Sequence, residues 1–168
     1  QLLERLDSIQ TQLKKPANFE LKTASMEAFW PHFEKAMKDT SQARRHLKAF
    51  IFEGPLEVRD FYVVRYGSID HMYGQMVNAA PNYYRYLKTR FQPDSLRVFR
   101  NAILESMKRF QDLYPEAVFP KVYIVPGILN SGGTATEMGM FLGGDMYGRS
   151  PDMPVEDLTD WQEGAIME

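Results

Sequence analysis

Three histidines and no cysteine are available to hold a metal ion, so the chemistry of this chain is sought first around them. A zinc-protease helix places glutamate directly after its first histidine and a second histidine four residues on. His32 lies in Pro-His-Phe-Glu, with the glutamate two residues away. His71 is followed by Met72, Tyr73, Gly74 and Gln75, which supply no second ligand at i+3 or i+4. His46 sits in the basic run Arg44-Arg45-His46, which disfavours a divalent cation. Each is therefore expected to be structural or exposed, and no metal ligand is assigned. Ser131, in Asn130-Ser131-Gly132-Gly133-Thr134, resembles an exposed loop serine but lacks a G-x-S-x-G elbow. The same loop lacks the G-x-x-x-x-G-K of a phosphate cradle, and its plain reading is a turn joining two strands. Carboxylates gather late, at Glu137, Asp145, Asp152, Glu156, Asp157 and Asp160. Most of them are expected as solvated charges or helix caps, with Glu156-Asp157 suited to a helix N-terminus. Tyr83, Tyr84 and Tyr86 read as packing residues rather than a nucleic-acid stacking platform.

The elements that must position these residues change character near Phe119. From there to Gly148 the helical period gives way to short β-like runs cut by glycine. Lys121–Val125 is rich in β-branched and aromatic residues and ends at Pro126-Gly127, a strand followed by a turn. Glu137–Leu142 reads as a second strand of the same sheet, and Gly143-Gly144 as a bulge or turn. Residues 121–147 thus hold the only sheet expected, with 130–134 looping at its margin.

Before it come helices. Leu2, Leu3, Leu6, Ile9 and Leu13 fall at helical spacing until Pro16, so residues 1–15 form a helix that is peripheral or docked. Residues 18–22 read as a connector. Ser25 reads as the N-cap of a helix burying Met26, Phe29, Trp30, Phe33 and Met37, with Pro31 either in its first turn or marking a kink. Ala43, Leu47, Phe50 and Ile51 define the next inward face, closed by Gly54-Pro55. A helix from Leu56 ends at Gly67, Ser68 caps another, and Pro81 opens a short one. Asp94 caps the clearest helix, whose stripe Leu96, Phe99, Ile103, Met107, Phe110 and Tyr114 would make it the main packing partner of the sheet. Residues 155–167 read as a last helix, with Leu158, Trp161, Ala165 and Ile166 apolar. The fold class is α+β: a mostly helical array, a small sheet and a C-terminal helix, in one domain over 1–168.

Composition agrees with that class. Of 168 residues, 44% are hydrophobic and 25% charged, ordinary for a globular domain with a real core. A net charge of −2 gives no electrostatic case for nucleic acid. No apolar run reaches the ~20 residues of a membrane-spanning helix. Disulfides and thiolate metal sites are excluded by the lack of cysteine. The first residue is Gln1 and the last falls within a helical pattern, which reads as a trimmed product.

Phe119-Pro120-Lys121-Val122-Tyr123-Ile124-Val125-Pro126-Gly127, the 130–134 loop, and Met140-Phe141-Leu142-Gly143-Gly144-Asp145-Met146-Tyr147-Gly148-Arg149 before a Thr-Asp-Trp segment carry a resemblance. They resemble an uncharacterised bacterial family of predicted zinc-dependent, zincin-like proteases, often exported or lipid-anchored and distantly similar to gliding-motility lipoproteins. Gly54-Pro55-Leu56, Arg65-Tyr66-Gly67-Ser68 and Leu113-Tyr114-Pro115-Glu116 agree in order and spacing. The resemblance implies a periplasmic or envelope location, a peptide or protein substrate, and zinc in the full-length parent. Such proteases carry their ligands in an HExxH helix, which this chain lacks and which would follow Glu168. The chain would then be inactive alone, supplying scaffold and one wall of the cleft. Asn130, Ser131, Gly132, Gly133 and Thr134, with the strand 137–142, would form the substrate-binding rim. The alternative is a non-catalytic binding or structural module of a bacterial envelope protein. Titrating the 168-residue chain with zinc is expected to show no tight stoichiometric binding; submicromolar zinc lost on replacing His32, His46 or His71 would overturn the histidine assignment.

Overall fold

A computed structural model describes residues 12–148. The helices expected over most of 1–15 and over 155–167, and the carboxylates Asp152, Glu156, Asp157 and Asp160, lie outside the described residues. Within them the chain is mixed helix and strand. The helices are α1 (Ala24–Lys38), α2 (Ala43–Glu53), α3 (Leu56–Phe61), α4 (Ile69–Met72), α5 (Pro81–Arg90) and α6 (Pro93–Leu113). The strands are β1 (Leu21–Lys22), β2 (Val122–Val125), β3 (Gly133–Thr136) and β4 (Gly139–Gly143). They form one four-stranded sheet in the order β1-β2-β4-β3; β2 lies parallel to both β1 and β4, whereas β3 is antiparallel to β4.

The inward faces of the helices follow the periodicity. Met26, Phe29, Trp30 and Phe33 are buried on α1, and Ala43, Leu47, Phe50 and Ile51 on α2. Pro31 sits in the interior of α1, which continues through it. A proline there forgoes a backbone hydrogen bond. The aromatic packing on either side, with Phe29 near Trp30, Phe33 and Phe50, holds the helix together across that gap. α3 and α4 each run on into a π-helical segment, Tyr62–Tyr66 and Tyr73–Ala79. Gly67 then turns the chain with φ 71°, and the Ser68 hydroxyl accepts the His71 amide as the expected cap.

Registers place two sets of side chains on opposite faces of the sheet. One set is Tyr123, Phe141 and Thr134, in the rows that pair Tyr123 with Phe141 and Phe141 with Thr134. Tyr123 stacks on Phe141, and Phe141 on Phe61 of α3, so this face joins the main core under α1–α5. The other set runs Val122, Met140 and Ala135, and here Ile103, Leu104 and Met107 of α6 pack with Phe19, Phe119 and Val122 in a second, smaller cluster.

Several expectations are corrected. Residues 137–142 are not one strand: Glu137 and Met138 make a turn between β3 and β4. That hairpin requires Gly139, whose φ is 145° and whose Cβ would overlap the Lys121 carbonyl. The supposed connector 18–22 contains β1, a pairing too short to carry a periodicity. Gln92, not Asp94, precedes α6 as N-cap, and Pro93 occupies its first turn. No α6 residue is fully buried, and Phe110 and Tyr114 are over half exposed, so α6 is not the sheet's main partner. That role falls to the α1–α5 layer. Ser25 is also not the cap of α1, since Thr23 holds that position. The Ser25 hydroxyl is fully buried instead and donates to the Ile124 carbonyl at 2.9 Å, tying α1 to β2. Ser25→Ala is expected to cost about 1 kcal/mol in urea unfolding, the net worth of one buried hydrogen bond. A change within error would show that the tie is redundant.

Candidate functional site

The site is built where β2 ends. Val122–Val125 is buried throughout, and Pro126-Gly127 carries the chain out of the sheet into residues 128–132 before it returns as β3. β4 ends in Gly143, and Gly144–Met146 forms a 3-10 turn that delivers Asp145 directly beneath that loop.

Asp145 is 1% exposed. One carboxylate oxygen accepts the Gly127 amide at 2.8 Å, and the other accepts the Leu129 amide. A Cβ at Gly127 would collide with the carboxylate, so glycine is what lets the backbone come this close. Leu129 takes a left-handed φ of 58°, a conformation that branched and bulky residues avoid unless neighbours impose it. Two tyrosines complete the mount: Tyr66 donates to the Pro126 carbonyl and Tyr84 to the Gly127 carbonyl, the latter at 2.8 Å. The Tyr83 hydroxyl lies within hydrogen-bond distance of the backbone carbonyls of Asp145 and Gly148 and shares its one proton between them. Burial drives the Tyr66 and Tyr84 hydroxyls well above their ordinary pKa, and the nearby Asp145 charge adds to it. Burial likewise pushes the Asp145 carboxyl up to about 6, against the opposing pull of the Leu129 and Gly127 amides and the Tyr84 hydroxyl.

Downstream of this mount the 130–134 stretch divides. Asn130 is exposed, and its amide donates to the Arg65 carbonyl at 2.9 Å. Ser131 is buried, 3.4 Å from the Gly133 carbonyl, so it is not the exposed serine that its sequence suggests. The Gly132 carbonyl accepts the Tyr147 hydroxyl at 3.0 Å and the Gly143 amide at 3.3 Å. Gly133 and Thr134 already belong to β3. Arg65 donates to the Thr134 hydroxyl and Thr136 donates to Asp60, which fixes one face of β3 to α3 and the π-helical segment after it.

β3 is the edge of the sheet. Since the Gly132 carbonyl points to β4, alternation turns the N–H and C=O of Gly133 and Ala135 outward, and both residues are exposed. The strand in 137–142 that was expected at the rim is in fact β4, flanked by β2 and β3, and cannot offer a free backbone. On the face carrying Ala135 and Met140, a groove of about 750 Å³ runs between β4 and α6, lined by Val98, Phe99, Ile103, Phe110, Val118 and Met140 among others.

His32 and His46 come near each other where α1 packs on α2. His71 is exposed, with Nδ1 3.3 Å from the Tyr66 carbonyl. His32 is partly buried near Phe50; its Nδ1 has no hydrogen-bond partner, and burial first, then Lys35, lowers its pKa. Among the described residues no three His, Asp or Glu side chains are grouped to hold a metal, so no ligand is assigned to them. No described helix is long and apolar enough to cross a membrane. The sequence places Asp145 in a group of carboxylates mostly expected as solvated charges or helix caps; the preceding Gly143-Gly144, which allow close approach on one side, are the available signal that it is buried. Comparison with protein-family models, with curated proteins and with solved structures yields no match.

A carboxyl with its folded pKa raised from 3.8 to about 6 binds its proton more tightly folded than unfolded. Its contribution to stability is therefore full below about pH 4 and is lost as pH rises through 6. The stability advantage of the wild type over Asp145→Asn should accordingly widen by roughly 1–3 kcal/mol between pH 7 and pH 4 in urea titrations. A narrowing on acidification would mean that the two amide donors outweigh burial.

Proposed function

We propose that this chain is the N-terminal portion of a zinc-dependent peptidase of zincin-like architecture, forming its scaffold and one wall of the cleft that holds an extended peptide. The observation that carries this reading is the open edge of β3 beside an apolar groove on the same face of the sheet. An edge strand with unpaired N–H and C=O groups is a template for strand addition. Gly133 and Ala135 put no bulky side chain in the way of an incoming backbone. Thr134 and Thr136, bonded to Arg65 and Asp60, keep the strand from shifting as it pairs.

The groove supplies the second half of the argument. α6 covers the sheet only as far as Met140, and Val98, Phe110 and Val118 are half exposed or more. A helix laid parallel to α6 would bury an apolar stripe there and present its other side to the space below β3. By the resemblance, that helix is the HExxH segment beyond Glu168. Zinc held there would polarise the scissile carbonyl and activate water. The residues of this chain align the peptide and set its depth in the cleft. The rim assigned here is Asn130–Gly132 as support and Gly133–Thr136 as the pairing strand.

The same groove favours a second reading, a binding module of an envelope protein that receives a partner's helix on Val98, Phe110 and Val118. The residues after Glu168 separate the two, since His-Glu-x-x-His belongs only to the first. In the full-length protein, Ala135→Pro removes an outward N–H without touching the β3–β4 ladder, and Gly133→Val adds bulk beside the edge where there is room for it within the fold. Each is expected to lower kcat/KM for peptides about tenfold or more, the worth of one or two hydrogen bonds, with zinc content unchanged. Equal loss of zinc and activity, or loss of neither, would remove β3 from the cleft.

A further inference from the structure

Nothing in the backbone of residues 127–132 is regular, yet several of its polar groups meet partners from other elements. The Gly127 and Leu129 amides go to Asp145, and the Gly127 carbonyl goes to Tyr84. The Asn130 side chain reaches the Arg65 carbonyl, and the Gly132 carbonyl receives Tyr147 and Gly143. β3 grows out of the last of these residues. Its inner side is paired to β4, and the face carrying Thr134 and Thr136 is tied to Arg65 and Asp60. What remains bare is the outer row, together with the face that carries Ala135.

We infer that Asp145 is the positioning residue of that outer row: through the Gly127 and Leu129 amides it sets where β3 leaves the core and so where the unpaired backbone stands. This rests on the reading of β3 as a peptide-pairing edge. Asp145 lies outside the row itself and has no accessible surface to offer a ligand. Its two oxygens engage amides two residues apart, which forces the chain between them into a tight bend and Leu129 into its left-handed conformation. Among the described residues, the ionisable groups that face the carboxylate are the hydroxyls of Tyr66, Tyr83 and Tyr84. Backbone amides therefore do the work that a cation would do in an ion pair, and the direction of the bonds is fixed by the chain. A peptide gains from pairing with an edge only to the extent that the edge is already ordered. Asp145 supplies that order from beneath.

Asn in place of Asp145 keeps the shape but offers one acceptor oxygen where two amides point. The test is residue-resolved amide exchange by NMR on the 168-residue chain, comparing wild type, Asp145→Asn and Ser25→Ala. In Asp145→Asn the protected amides of Gly127, Leu129, Thr134 and Thr136 should exchange at least tenfold faster relative to those of Val122–Val125. Ser25→Ala, which loosens β2 itself at Ile124, should show no selective acceleration of 127–136 over Val122–Val125. Acceleration spread evenly over the chain, or an unchanged 127–136 segment, overturns the inference. If Asp145→Asn does not fold, Tyr84→Phe removes the hydroxyl that bonds the Gly127 carbonyl and bears on Asp145, and should give the same local signature; an even response there also overturns it. A second arm uses the full-length protein and a peptide substrate, where KM should rise about tenfold and kcat change less. Selective exchange with KM unchanged supports Asp145 as the mount and removes peptide pairing from β3.

Discussion

A carboxylate with no cation beside it among the described residues, buried between a loop and a cluster of tyrosines, governs the layout of this domain. Asp145 satisfies two backbone amides that would otherwise be buried without acceptors, and those amides belong to the one stretch where the chain leaves the sheet and comes back. An unmade hydrogen bond at such a position costs about 1–3 kcal/mol, more than most single contacts contribute. The tyrosines fit the same logic. Tyr66, delivered by a π-helical segment, and Tyr84, delivered by α5, reach the neighbouring carbonyls of Pro126 and Gly127. Two separate helical elements and the turn that ends β4 thus converge on residues 126–129.

That convergence explains why the helical layer and the sheet are not interchangeable parts. The α1–α5 layer packs on one face of the sheet through Tyr123, Phe141 and Phe61, and its polar side chains cross the sheet's margin to hold 126–136. The opposite face is treated differently, with α6 covering part of it and an apolar groove left alongside. The two faces therefore divide the labour between rigidity and capacity. One fixes the margin, and the other has room.

Much of this was legible in the sequence because it is periodic. The stripes on α1 and α2, the strand at Val122–Val125, the Ser68 cap and the Pro81 start are all local signals, and local physics determines them. What escaped was set by tertiary partners. β1 is two residues long and owes its existence to β2. β3, Gly-Thr-Ala-Thr, has neither an apolar alternation nor aromatic content, since one of its faces is tied by hydroxyls and the other is open. Ser25 looks like a cap in sequence because serine caps helices often, yet its hydroxyl serves a strand 99 residues away. Asp145 looked like surface because aspartate usually is; only the glycines before it and at Gly127 hint at a backbone drawn in close. The expectation that α6 would back the sheet failed for a related reason. Its stripe is real, but nothing in a helical period says how much of the stripe a given partner will cover.

The pairing of β1 with β2 has a further consequence for how the domain comes into being. Leu21 meets Val122 across a loop that contains every helix of the α1–α6 series, so the sheet cannot begin to close until that whole segment has been synthesised. Contacts of such long sequence separation form late and slowly, because the entropy of closing the loop must be met before the contact returns anything. The helices, by contrast, are local and can collapse around Phe29, Leu47 and Phe50 while the chain is still growing. Assembly from a ribosome would therefore run inside out: a helical nucleus first, with β1 waiting as an unpaired ribbon, and the margin with its open strand after it. The margin is thus ordered only after the helical nucleus stands, which shortens the interval in which its unfolded strands could pair with those of another nascent chain.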